Sequence, residues 1–143
     1  MGERSRRGPP YGCEVCAFSL WLPIARLQVS SLGLYDDVRF PGRCLLVLHR
    51  HEENFALLDP KEANQFVADL QRAAQAILTA TKAPRLNYAL LGNKEPHIHF
   101  HLIPRPAADP IPDLTPWHHP EPRRDLAPEM RESLIRGIAK NLG

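Results

Sequence analysis

The sequence predicts an α+β protein: a small antiparallel sheet with one long helix and a second helix at the C-terminus. Three observations carry this. Residues 60–82 repeat apolar side chains at helical spacing, residues 86–91 and 97–103 alternate as strands, and a turn-forming run separates those two strands. At 143 residues with 43% apolar content, the chain fits one domain with a packed core.

The elements follow in order. Residues 1–12 are basic and Gly/Pro-rich with no apolar stretch, so they read as a disordered lead and not as a signal peptide. One or two weak strands are expected within 27–35. Cys44-Leu45-Leu46-Val47-Leu48, opened by Pro41-Gly42, is a short apolar run that suits a strand covered on both faces. Asp59 is a natural N-cap for the helix 60–82, with Pro60 at its first position and Glu62 placed to complete a capping box. Phe66, Val67, Leu70, Ala73, Ala74, Ile77 and Leu78 form its apolar stripe. Next come the strand 86–91, the turn 92–96 and the strand 97–103, which Pro104 closes. The last helix spans 127–142, with Met130, Leu134, Ile135, Ile138 and Leu142 inward. Eight of the 15 prolines fall between Pro104 and Pro128. The chain therefore divides into a lead (1–12), a main domain (13–105), and an extended segment with a helix packed on that same domain (106–143).

Composition excludes several classes of function. A balance of 18 basic against 16 acidic residues is too even for a protein built to grip nucleic acid, although a few placed cations suffice for a small anion. No segment approaches the roughly 20 apolar residues of a membrane span. Three cysteines do not make a disulfide framework. The expected location is the cytoplasm.

His97, His99 and His101 lie on one face of the 97–103 strand, opposite Ile98, Phe100 and Leu102. At about 3.4 Å per residue the outer two are about 13–14 Å apart at Cα, too far to share one metal. Two neighbours with a nearby carboxylate would suit a cupin-like metal site, but Phe, His, Leu, Ile, Pro and Arg follow His99. Nucleophilic and acid/base work remains, since a neutral imidazole is a good nucleophile toward phosphorus at pH 7. Cys13 and Cys16, spaced C-x-x-C, supply half of a closed zinc site. Arg39, Arg43, Arg50 and Arg105 flank the histidines in sequence, and Arg105 is best placed for distal phosphates.

His97-Ile98-His99-Phe100-His101-Leu102-Ile103 resembles the His-φ-His-φ-His-φ-φ motif of the histidine triad (HIT) superfamily of nucleotide hydrolases and transferases. Phe40-Pro41-Gly42-Arg43 with the apolar run 44–48 and Arg50-His51 is similar to the family's segment upstream of the motif, and the helix 60–82 and Asn87 also fit. The likeness covers residues 13–105. The Pro/Trp tail and final helix resemble a bacterial branch described as dinucleoside polyphosphate hydrolases. The resemblance implies a HIT-like sheet and a nucleotide substrate. His99 would be the nucleophile that becomes nucleotidylated, His97 would orient it through the strand carbonyl, and His101 would stabilise charge at the phosphate. Asn87 and Asn93 match donors to phosphate and ribose, and Asp37 is the candidate for a further ribose contact. Lys94 stands where many members have a hydroxyl donor. Several members carry a cysteine pair whose remaining zinc ligands correspond to His51 and His97. That zinc would be structural, with no cofactor needed for the chemistry. A homodimer is also implied. Cleavage of a phosphoanhydride such as that of diadenosine tetraphosphate is the expected activity. Hydrolysis of a nucleoside phosphoramidate, or nucleotide or zinc binding without turnover, remains open.

Overall fold

Five short strands order themselves into one antiparallel sheet because each return of the chain is brief except the one that carries the long helix. In a computed structural model that describes residues 12–143, these are β1 (Pro23–Arg26), β2 (Ser30–Leu34), β3 (Cys44–Leu48), β4 (Arg85–Ala89) and β5 (His99–Arg105). Their spatial order is β1-β2-β3-β5-β4, so β3 lies at the centre and β4 at an edge. The long helix α1 runs Pro60–Thr81 and α2 runs Pro128–Asn141. The α+β expectation holds. The disordered lead lies outside the described residues but for Gly12, which pairs with Ser19.

Gly42 makes the turn into β3. Its φ is +97°, and a Cβ there would come within 2.4 Å of Thr81 Cγ2 at the end of α1, so only glycine fits. β3 then pairs with β2 on one side and β5 on the other. Cys44, Leu46 and Leu48 are buried. α1 packs against the sheet, where Phe66 sits 5.7 Å from the ring of Phe100 and 6.2 Å from that of Phe55. α2 packs on α1 and β1, with Ile135 and Ile138 buried. Phe66 is fully buried, and truncating such a side chain to alanine costs about 3–5 kcal/mol.

Local readings are corrected in five places. Of the strands expected within 27–35, β2 is there and β1 precedes that window. Asp59 caps α1 through the Lys61 N–H, but Glu62 does not complete a capping box: its carboxylate accepts from Arg50 Nε at 2.7 Å instead. Val67 and Met130, assigned inward, are about half exposed. β5 starts at His99 and runs through Pro104, which sits opposite Leu86. Proline is tolerated there because β3 has ended opposite Leu102. Finally, the apolar stripe of α1 contains a buried carboxylate. Asp69 accepts from the N–H groups of Gln28 and Val29 and from Ser30 Oγ at 2.7–3.2 Å, which ties the β1–β2 turn to the helix.

Candidate active site

The register of β5 places the histidines. His99 lies opposite Val47 and His101 opposite Leu45, on the sheet face away from Phe100 and α1. His97 precedes the strand. Its neighbour Ile98 donates to the Glu52 carbonyl and accepts from the Leu48 N–H, which continues the line of β5 by one pairing.

His99 Nδ1 lies 2.7 Å from the main-chain carbonyl oxygen of His97. A carbonyl only accepts, so Nδ1 carries a proton, and in the neutral ring the lone pair is on Nε2. The side chain is 6% exposed and lines a cavity of about 410 Å³ with His101, Asn93, Lys94, Phe18 and Trp117. The Phe18 ring centroid is 4.9 Å from that of His99.

His101 has a different setting. Its Nδ1 accepts from Arg43 Nη2 at 3.1 Å, and its ring meets His99 edge-on at 5.3 Å and Trp117 at 6.1 Å. Burial first, then the Arg43 charge, lower its pKa to about 4, so the ring is neutral at pH 7. Burial also holds His97 below the usual histidine value, against a hydrogen bond to the Leu48 carbonyl.

His97 turns away from this cavity. Its Nε2 is 2.7 Å from the Leu48 carbonyl and its Nδ1 is 3.4 Å from Cys16 Sγ, while His51 Nδ1 is 3.7 Å from Cys13 Sγ. The four ligand atoms of Cys13, Cys16, His51 and His97 lie within 4.8 Å of one another. Zinc–sulfur and zinc–nitrogen bonds of about 2.3 and 2.1 Å at a tetrahedral angle put sulfur and nitrogen about 3.6 Å apart. The two observed separations bracket that value. The His97–Leu48 bond is the outer contact that orients a metal-binding imidazole. The residues therefore fit a structural zinc.

Other predicted residues separate into two groups. Asn93 and Lys94 line the histidine cavity. Asp37 does not: it is fully buried, and Arg39 and Arg43 occupy both carboxylate oxygens. Burial alone would raise its pKa, but the hydrogen bonds and charge of Arg39, joined by Arg43, hold it below the usual carboxylate range. Arg105 is likewise internal. Four of its five N–H donors go to Asp109, Asn87 and the carbonyls of Ile111 and Leu114, and it is 4% exposed, so it clamps the extended segment and is not aimed at the His99 cavity. Asn87, whose oxygen accepts from Arg105, lines a neighbouring cavity beside β4 and not the one at His99. Sequence reading missed Phe18 and Tyr35 as lining residues. Neither carries a chemical signal, and Phe18 reaches His99 only because the Cys13–Phe18 turn closes through a Cys13 N–H to Phe18 carbonyl bond of 2.8 Å.

A family model for the HIT domain matches residues 29–108. The chain belongs to the HIT family. The solved structures it is similar to share this fold. A HIT protein from Sinorhizobium meliloti is 22% identical with a TM-score of 0.76, over 99% of this chain and 94% of that one. A histidine triad protein from Bradyrhizobium japonicum is 24% identical with a TM-score of 0.78, over 85% and 90%. A zinc-bound histidine triad family protein from Mycobacterium smegmatis is 24% identical with a TM-score of 0.62, over 84% and 82%. No curated protein matches the chain. No helix among the described residues is long and apolar enough to cross a membrane.

Proposed function

We propose that this HIT-family protein is a cytoplasmic nucleotide hydrolase that cleaves nucleoside 5′-phosphoanhydrides, dinucleoside polyphosphates such as diadenosine tetraphosphate among them. The observation that carries the reading is the His99–His97 carbonyl bond, which keeps the Nε2 lone pair of His99 free. In the first step Nε2 bonds to the α-phosphorus as the bridging P–O bond breaks, and the leaving phosphate or nucleotide keeps that electron pair and takes up a proton. Lys94 lines the same cavity and would be the cation that meets the departing oxygen. In the second step a water oxygen bonds to phosphorus, the P–N bond breaks, and His99 recovers its lone pair while water gives up a proton. Positioning and charge stabilisation supply most of the rate in such a transfer. A zinc ion on Cys13, Cys16, His51 and His97 would fasten the N-terminal turn to the sheet. The three free cysteines suit a reducing compartment.

A second reading, hydrolysis of a nucleoside phosphoramidate, is favoured by one observation. Lys94 is the one cationic side chain among the described lining residues of the His99 cavity, and a single phosphate needs less counter-charge than a polyphosphate. Product analysis separates the two. The protein is offered a panel of dinucleoside polyphosphates, sugar nucleotides and adenosine phosphoramidates, and the reaction is quenched in base for mass measurement of the nucleotidyl adduct. Release of a mononucleotide from the phosphoanhydrides, with the adduct on His99, is expected. Binding with no product and no adduct overturns the hydrolase.

A further inference from the structure

Arg43 is an unusual residue for its place. It is 5% exposed, immediately before the central strand, in a stretch that otherwise reads as core. Its position is fixed on every side. The backbone is held by a Tyr35 N–H to Arg43 carbonyl bond of 2.7 Å and an Arg43 N–H to Phe40 carbonyl bond of 3.0 Å. The guanidinium lies 4.0 Å over the Tyr35 ring, and Nη1 donates to Asp37 Oδ2 at 2.9 Å. Asp37 is itself locked by Arg39. Among the described residues, Arg43 Nε is buried without a hydrogen-bond partner. An apolar side chain would avoid that penalty, so stability alone does not account for an arginine here.

Arg43 Nη2 provides the account, because it reaches His101 Nδ1 at 3.1 Å. A guanidinium has donors and no acceptor. The ring nitrogen facing it must be the unprotonated one, which leaves the proton of the neutral ring on Nε2. His99, two residues earlier, is in the opposite state, with its proton on Nδ1 against the His97 carbonyl. The two neighbouring imidazoles thus divide the work: one offers a lone pair and the other offers a proton.

We propose that Arg43 is a positioning residue of the nucleotidyl-transfer site, acting through His101 to fix it as the Nε2–H tautomer and so as a neutral hydrogen-bond donor to the phosphoryl group. The role of His101 rests on the hydrolase reading above; the tautomer does not. Burial and the adjacent cation both resist a second proton on His101, so the donor stays neutral while charge develops on phosphorus. A side chain with a lone pair at position 43 would allow either tautomer; arginine allows one.

The test reads the ring nitrogens directly. The full chain is labelled with nitrogen-15 at histidine, and long-range proton–nitrogen spectra near pH 7 assign the tautomer of each ring. Wild-type protein should show His99 as Nδ1–H and His101 as Nε2–H. In Arg43→Met the His101 signals should move to a mixture of tautomers while those of His99 stay in place. On a substrate of the panel, kcat should fall in proportion to the Nε2–H population lost, up to about a hundredfold, the scale for complete loss of one oriented donor, with KM within about threefold. Arg43→Lys, which restores a charged donor, should recover most of both effects. An Nδ1–H tautomer at His101 in wild type overturns the proposal whether or not any variant folds. So do unchanged His101 signals in Arg43→Met, or a loss of kcat that Arg43→Lys does not recover. A wild-type protein inert on the whole panel counts against the hydrolase, and the ring nitrogens then decide the Arg43–His101 assignment by themselves.

Discussion

The Nδ1 atom of His99 is bonded to the main-chain carbonyl of His97, not to the His97 side chain, which faces Cys16 instead. The clamp on the proposed nucleophile is therefore backbone and does not depend on the side chain at position 97. Two variants that look alike in sequence should behave differently. His99→Ala should lower turnover by at least about 10⁴-fold, as loss of a nucleophile does, and abolish the covalent adduct. His97→Ala should keep the adduct but lose metal and thermal stability. Quenched mass measurement and thermal melts distinguish them. Near-wild-type turnover in His99→Ala would end the mechanism.

Metal content is the second expectation. The sulfur–nitrogen separations of 3.4 and 3.7 Å fit a tetrahedral zinc between two thiolates and two imidazoles. Protein purified without chelator should carry about one zinc per chain by elemental analysis. Cys13→Ser or Cys16→Ser should lose it and melt at lower temperature, with catalysis reduced but present, because His99 is not a ligand. Metal-free wild-type protein would reject the site.

What the sequence disclosed follows the reach of each signal. The triad, α1 and the Cys13–Cys16 pair were legible because period-2 and period-3.6 spacing and the C-x-x-C spacing are written locally, while His51 and His97 as further ligands came from the family resemblance. Asp37, Arg43 and Arg105 were not, because a charged residue reads as solvent-facing until its partner is known. Some of those partners are distant in the chain, and the near ones are not marked as partners by any spacing pattern. Arg43 reaches His101 across the β3–β5 pairing, whereas Asp37 meets Arg39 and Arg43, and Arg105 meets Asp109, only a few residues away. The edges of β5 failed for a related reason: Pro104 looks like a stop until it is known that β3 has already ended.

Asp69 supplies a stability test. It is buried in the apolar face of α1 and accepts three hydrogen bonds from the β1–β2 turn. Asp69→Ala strands those donors and should cost about 3 kcal/mol in a urea titration. Asp69→Asn keeps part of the acceptor capacity and should cost about half of that. A loss within about 0.5 kcal/mol for the alanine variant would show that the turn finds other acceptors.

Acid sensitivity follows from His101. In the folded protein its pKa is depressed to about 4, against 6.5 when unperturbed. Between those values the unfolded chain binds a proton that the folded one refuses. Stability therefore falls as pH drops from 6.5 to 4, by at most about 1.4 kcal/mol per pH unit from this group, and levels off below 4. His101→Gln should flatten that slope relative to wild type, read as urea midpoints across pH 4–7. Equal slopes in the two proteins would mean that His101 titrates normally.

The expected partner is a second copy of the chain, and the edge of the sheet is where it should dock. Among the described residues, β4 pairs only with β5 and ends the strand order. Tyr88 on that strand is 50% exposed, as are Leu91 just beyond it and Leu114 and Trp117 across an adjoining cavity of about 480 Å³ to nearly the same degree. An open edge flanked by apolar side chains invites pairing with another strand, and natural sheets guard such edges with charge or cover them. Arg85 opens β4, but the row of Tyr88, Leu91, Leu114 and Trp117 carries no charge. A twofold arrangement would set the same patch against itself and cover both copies at once. Light scattering at micromolar concentration should then report about twice the 16.2 kDa chain mass. The double variant Tyr88→Glu/Leu91→Glu should report the single mass. Val67→Glu, an equally exposed apolar position on α1, should remain a dimer and so control for added charge. A wild-type protein of single mass would remove the dimer; a Val67→Glu protein of single mass would move the interface to the helix.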